Sequence, residues 1–147
     1  MWSRRSNSSK RLAVSGDDEI RITELKQSYC RLVDAKDWPG FGALFTDDAV
    51  LYPSSSAMAA GLASPEGVRG RTAIANWVRE RLATAQSKHE VWPVSLVVEG
   101  DAARAVWRMR DSVAWPERSF TATGRYVENY RRTETGWQIA ETRLERD

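Results

Sequence analysis

Apolar positions recur along this chain at two different periods. From about Asp17 to Lys36, Ile22, Leu25, Tyr29, Leu32 and Val33 return at helical spacing and form one stripe. Ser15 followed by Asp18 resembles a capping box, and Asp17, Asp18 and Glu19 suit the positive end of a helix dipole. Asp37-Trp38-Pro39 restarts a short helix, with Asp37 as its cap, Pro39 pre-set for the first turn, and Phe41, Leu44 and Phe45 as its apolar face. Thr46-Asp47-Asp48 is expected to end that helix, and Ala49 to Tyr52 to form a short strand. Residues 53–70 are a long Ser, Ala, Gly and Pro connection, a kind that is usually functional or mobile. Thr72 is the expected cap of another helix, with Ile74, Trp77, Val78 and Leu82 on its stripe.

Beyond that helix the period changes to two. Glu90 to Val98 reads as a strand closed by the turn Glu99-Gly100-Asp101, followed by strands over Ala102 to Val113, Ser119 to Arg132 and Trp137 to Arg146. In the second strand Ala103, Ala105, Trp107 and Met109 face one way, and Arg104, Val106, Arg108 and Arg110 the other. The last strand places Ala140, Thr142, Leu144 and Arg146 on one side. Helices first and antiparallel hairpins after them make an α+β domain. A strongly curved sheet with helices across its concave side leaves a cavity, and such a cavity needs a mostly apolar lining with a few polar groups.

Length and composition narrow the chemistry. The 147 residues suit one domain, with a basic tail over 1–16 expected to be mobile and the folded body over 17–147. The hydrophobic fraction of 41% excludes a wholly disordered chain, and no apolar run reaches the ~20 residues of a membrane helix. One cysteine, Cys30, excludes an internal disulfide framework, and one histidine, His89, excludes a multi-histidine metal site. No cofactor or metal is therefore expected, and catalysis would fall to carboxylates, one imidazole, phenols and guanidinium groups. The net charge of +2 includes four positive side chains of the tail (Arg4, Arg5, Lys10, Arg11), so the body carries −2, which argues against a nucleic-acid partner. Ser3-Arg4-Arg5 has the look of a twin-arginine signal, but no apolar segment follows it, and a cytoplasmic location is expected.

His89 is the natural acid/base group near neutral pH. Asp34 lies near the carboxyl end of the first helix, a poor place for a negative charge, which hints at another role; the alternative is a surface ion pair with Arg31 or Lys36. Tyr29 is either a core aromatic or a pocket phenol. Five residues separate it from Asp34, roughly 140° around a helix, so both reach one cavity only if it wraps the helix end. Arg146 is either a frayed terminal charge or a guanidinium that holds an anionic substrate group. Glu128 and Tyr130 share a side of their strand with Tyr126, which makes them further pocket candidates.

The order of elements and several local motifs resemble the SnoaL-like branch of the nuclear transport factor 2-like superfamily. The matching pieces are Ile22-Thr23-Glu24-Leu25 leading to Tyr29, then Asp34 and Asp37; Leu44-Phe45-Thr46-Asp47-Asp48-Ala49-Val50; Gly70-Arg71-Thr72-Ala73-Ile74; His89 opening a strand; Glu99-Gly100-Asp101-Ala102-Ala103; Gly124-Arg125-Tyr126; and Gly136-Trp137-Gln138-Ile139. They cover about Asp18 to Arg146. The resemblance implies a cone-shaped, curved mixed sheet with three helices from the first half of the chain enclosing a pocket, the cystatin-like arrangement. Among its members the polar residues look most like the scytalone dehydratase and bile-acid 7α-dehydratase group. This implies His89, Asp34 and Tyr29 as catalytic residues and Arg146 as a substrate-binding one. Tyr52, beside Pro53 where that group has a second pocket tyrosine, and Trp92, where a further histidine can occur, join Glu128 and Trp107 as substrate-binding candidates.

The expected activity is a metal-free lyase that removes water from a cyclic β-hydroxy carbonyl or related hydrophobic compound. Enolate chemistry in the same cavity would also serve a ketosteroid-isomerase-like or polyketide-cyclase-like enzyme, and a non-enzymatic binding module is the competing class. Trp107, Met109, Tyr126, Tyr130 and Trp137 are expected on both sheet faces. A homodimer through the outer face follows, with the Arg104, Arg108 and Arg110 row meeting Glu128 or Glu141 of a second copy.

Overall fold

In the computed structural model the backbone is described for residues 2–147, and side chains for 16–147 except Ser56. The elements in chain order are α1 (Trp2–Ala35), α2 (Trp38–Gly42), β1 (Phe45–Tyr52), α3 (Ser55–Ala59), β2 (Val68–Arg69), α4 (Arg71–Leu82), β3 (Gln86–Glu99), β4 (Ala102–Ala114), β5 (Ser119–Thr133) and β6 (Gly136–Arg146). The expected mobile tail lies, apart from Gly16, outside the residues whose side chains are described.

Six strands form one sheet in the order β2-β1-β6-β5-β4-β3. β1 runs parallel to β6, and every other neighbouring pair is antiparallel. The result is a mixed α+β domain with a curved sheet and the helices of the first half of the chain against it. Its core joins Ile22, Tyr29 and Val33 of α1, Phe41 of α2, Ile74 and Val78 of α4, and the inward row of the sheet. Each fully buried large apolar side chain contributes about 1.5–3 kcal/mol.

The helix boundaries have local causes. Lys36, at φ 59°, takes the left-handed conformation and stops α1. Asp37 caps α2, its Oδ1 accepting from the Gly40 N–H at 2.9 Å. Other expectations change. Asp18 makes no cap: it is buried inside α1 and accepts two bonds of 2.7 Å from Arg132 and one from Trp137 Nε1. Thr46-Asp47-Asp48 belongs to β1, which continues the ladder with β6. Gly70, not Thr72, is the N-cap of α4, and its φ of 90° is open to glycine at little cost. The long connection holds α3 and β2, and Trp77 and Arg81 of α4 both donate to its Leu62 carbonyl.

The sheet faces also differ from the alternation expected. Trp107, Met109, Tyr126, Tyr130 and Trp137 all point inward and are buried. The helices and the cone of strands absorb every one of them. A register shift opposite Asn129 and Tyr130 leaves Ala140 unpaired between Ile139 and Glu141, so Ile139 and Thr142 both face inward. Thr142, Leu144 and Arg146 keep the inward phase anticipated for them.

Candidate active site

The site is assembled where the C-terminal half of α1 crosses β3. Here β3 begins at Gln86, earlier than its apolar pattern suggests, so His89 lies within the ladder and pairs across to Asp111 of β4. Asp34 reaches β3 from the last turn of α1 and grips it three times. Its Oδ1 meets His89 Nδ1 at 2.6 Å and accepts from Ser87 Oγ at 2.8 Å, while Oδ2 accepts from the His89 backbone N–H at 3.0 Å. Neither Arg31 nor Lys36 pairs with it: Arg31 donates to Ser28, and Lys36 to the Ala83 carbonyl. Burial raises the Asp34 pKa, but the bonds from His89 and Ser87 outweigh that and hold it below the usual carboxylate value of 3.8. An ionised carboxylate can only accept, so Nδ1 carries a proton, and Nε2 points to the opposite side of the ring.

On that opposite side stands Asp111, which the sequence reading did not single out. Its Oδ1 lies 3.8 Å from His89 Nε2, too far for a direct hydrogen bond, and is buried with no hydrogen-bond partner. Its Oδ2 takes Arg146 NH1 at 3.2 Å. Burial raises the Asp111 pKa, against the opposing pull of His89, Arg146 and Lys26. The signal was present: Asp111 continues the row Ala103, Ala105, Trp107, Met109 at period two, a carboxylate in phase with an apolar strand face.

Asp34, His89, Asp111 and Arg146 thus follow one another in a line, with a 3.8 Å gap between His89 and Asp111. Arg146 is three-quarters buried and also touches Met109 Sδ at 3.8 Å. Tyr29 lies deeper, edge-on to Phe41, Phe45 and Tyr126. Burial drives its pKa far up, so it stays a neutral donor. Glu128 is also inside rather than on the outer face: it pairs with the fully buried Lys26 at 2.8 Å, accepts from Thr142 at 2.5 Å and is bonded by Tyr130. Trp107 donates to the Tyr130 hydroxyl at 2.9 Å and is core. Lys26 escaped the sequence reading too, although it falls on the stripe of Ile22, Tyr29 and Val33.

Two candidates lie elsewhere. Tyr52 alternates with the inward Leu51 and stacks under Arg143 on the outer face, away from the dyad. Trp92 pairs with Arg108 on the outer face and is half exposed, yet it is among the residues that line a groove. That groove has a volume of about 410 Å³, opens to solvent and runs between α1 and β3 past Cys30, Asp34 and His89. Among the described residues no cluster of three or more His, Cys, Asp or Glu is grouped as a metal would need. None of their helices is long and apolar enough to cross a membrane.

The sequence profile of the SnoaL-like domain family matches residues 15–143. The chain belongs to the SnoaL-like family. No curated protein matches it. Among solved structures, a nuclear transport factor 2-like protein with a cystatin-like fold from Novosphingobium aromaticivorans is 22% identical, with a TM-score of 0.76 over 96% of this chain and 88% of that one. A protein from Kribbella flavida is 17% identical, with a TM-score of 0.80 over 90% of this chain and 92% of the other. A candidate scytalone dehydratase from N. aromaticivorans is 16% identical, with a TM-score of 0.76 over 92% of this SnoaL-like chain and 88% of its own. At these identities the likeness establishes the nuclear transport factor 2-like fold.

Proposed function

We propose that this SnoaL-like protein is a metal-free lyase that dehydrates a small cyclic β-hydroxy carbonyl compound. The observation that carries the reading is the placement of His89 between two carboxylates, Asp34 on Nδ1 at 2.6 Å and Asp111 beyond Nε2 at 3.8 Å. Asp34 fixes the tautomer and favours the imidazolium as it forms. Nε2 takes the proton from the carbon beside the carbonyl, and the electron pair moves into the carbonyl as an enolate. The enolate then re-forms the carbonyl, the carbon–oxygen bond to the β-hydroxyl breaks, and the imidazolium proton goes to that oxygen, so that water and an enone leave. Asp111 Oδ1 would accept a hydrogen bond from the substrate hydroxyl, and Arg146, already paired with Asp111, adds positive charge beside it. Tyr29 would serve the enolate oxygen as a phenol donor only for a substrate group that reaches past the dyad into the core. The same proton transfers would support isomerisation of a double bond, and the candidate scytalone dehydratase of like fold favours dehydration.

The second reading, a binding module, is favoured by one observation: the cavity at the dyad is a groove open to solvent rather than an enclosed pocket. The deciding assay follows enone absorbance from a panel of cyclic β-hydroxy ketones, starting with 3-hydroxycyclohexanone, and measures binding of the same compounds. Positioned proton transfer typically contributes 10²–10⁴-fold, so His89→Ala should lose activity on that scale while remaining folded. Binding without turnover by the wild type, or full turnover by His89→Ala, would support the module instead.

A further inference from the structure

Lys26 is the least expected residue in the interior. Its side chain is fully buried, as is that of its partner Glu128. Moving two charges out of water costs several kcal/mol per ion, which only close pairing recovers. The pairing here is complete. One N–H meets Glu128 Oε2 at 2.8 Å, and the ammonium stands 3.6 Å from the Tyr29 ring centroid and 3.4 Å from that of Tyr126. Glu128 is in turn held by Thr142 and Tyr130, and Tyr130 by Trp107. A cation between two phenol rings fixes both ring planes and draws electron density from them, which makes each O–H a better donor.

Beside the ammonium stand the Tyr29 and Tyr126 rings and the Glu128 carboxylate. Its charge also acts on Cys30 and, with those of His89 and Arg146, on Asp111. A purely apolar core would pack this volume without the desolvation cost.

We propose that Lys26 is a positioning residue for the His89 site: its ammonium, anchored on Glu128, clamps Tyr29 and Tyr126 by their faces and adds positive charge to the buried side of the site. This rests on the acid/base reading of the site above. It goes beyond that reading by assigning the electrostatic setting of the site to a residue that touches neither the dyad nor the groove.

The test compares wild type with Lys26→Met, which keeps length and apolar volume but removes the charge, and with Lys26→Arg, which keeps the charge. The first readout is the carboxyl ¹³C titration of Asp111, measured without any substrate. The expected result is an upward move of its midpoint in Lys26→Met and partial return in Lys26→Arg, together with altered ¹³C ring signals of Tyr29 and Tyr126. A lysine that only supports the fold would lower the melting temperature and leave the Asp111 midpoint in place, and that result would overturn the proposal. If Lys26→Met does not fold, Lys26→Gln, which keeps an N–H donor toward Glu128 and removes the charge, is titrated in its place, and its Asp111 midpoint decides the matter in the same way. The acid/base reading fails separately, through His89→Ala keeping turnover.

Discussion

Asp34 and His89 are joined twice, once through the imidazole Nδ1 at 2.6 Å and once through the His89 backbone N–H at 3.0 Å. The second bond ties the carboxylate to the strand itself, so the ring and its partner move as one unit. Asp34→Asn should keep the backbone contact through its carbonyl oxygen but offers an amide where a carboxylate stood. It is expected to lower kcat by about 10²–10⁴-fold, with a smaller change in KM. Steady-state kinetics on an accepted β-hydroxy ketone check this.

The same bonds predict a pH dependence of stability. The folded pKa of Asp34 is depressed: burial raises it, but the His89 and Ser87 bonds lower it by more. Its contribution is therefore fully present above the ordinary value of 3.8 and lost as pH falls through the lower folded value. The stability difference between wild type and Asp34→Ala should be constant from neutral pH down to about that value and shrink below it. Urea unfolding across the acid range measures it; a difference that persisted unchanged at the lowest pH would contradict the assignment.

Asp111 carries the opposite sign. Burial raises its folded pKa, so the folded state holds its proton longer than the unfolded chain does. Stability falls as pH rises from 3.8 through the folded value, and that loss persists at neutral pH. Asp111→Asn should remove this decline and raise the melting temperature at neutral pH relative to its effect below pH 3.8. It should also reduce turnover, because the unpartnered Oδ1 that faces His89 becomes a neutral amide atom. Such a trade of stability for activity is common at functional sites. A variant that lost stability equally at all pH values would show Asp111 to be structural.

Most of the fold was legible because two periods dominate the chain. The stripe of Ile22, Tyr29 and Val33 and the alternation of β4 required only a helix and a strand, and the order of elements matched a known family. His89 and Asp34 were legible as chemistry for a different reason: each was a residue out of place, a lone imidazole and a carboxylate at the wrong end of a helix. Asp111 and Lys26 were missed because they sit in phase with apolar rows, where a pattern reading expects only packing. Glu128 was assigned to the wrong neighbours for a related reason. Its partner lies 102 positions away on α1, and no local spacing reports that. Tyr52 stands one residue before the position at which the family resemblance implies a pocket tyrosine, and one residue in a strand exchanges one face for the other.

The outer face of the sheet supports a proposal about assembly. The large aromatics turn inward, and Glu128 is unavailable to the arginine row. What remains outside is Trp92 and Val97, each 49% exposed, beside Val106 and Val127, with Arg104, Arg108, Arg110 and Arg125 around them. Arg108 and Arg125 are already paired within the chain, to Asp147 and Glu145. We propose a two-fold homodimer centred on this smaller apolar patch. Val106→Asp should shift a dimer to monomer in light scattering while leaving the circular dichroism spectrum unchanged. A wild-type monomer at tens of micromolar would remove the proposal.

The strand geometry and the site meet at Gly124. It lies opposite Arg146 on one side and Met109 on the other, at the point where β6 must come close enough for Arg146 to reach Asp111. A Cβ added there would stand 2.1 Å from the Glu145 carbonyl oxygen and 2.9 Å from Arg146 Cα. Both are backbone atoms, so no side-chain rotation relieves the clash, and β6 must move. Overpacking of this kind typically costs about 1–3 kcal/mol. Gly124→Ala is therefore expected to lower stability by that amount in urea unfolding. Because the displaced segment carries Arg146, it should also weaken the Arg146–Asp111 pair and raise the Asp111 midpoint further. Arg146→Met provides the comparison: it should reproduce the change at Asp111 with little of the backbone cost. A Gly124→Ala protein with wild-type stability and an unmoved Asp111 midpoint would mean that β6 does not pass this close.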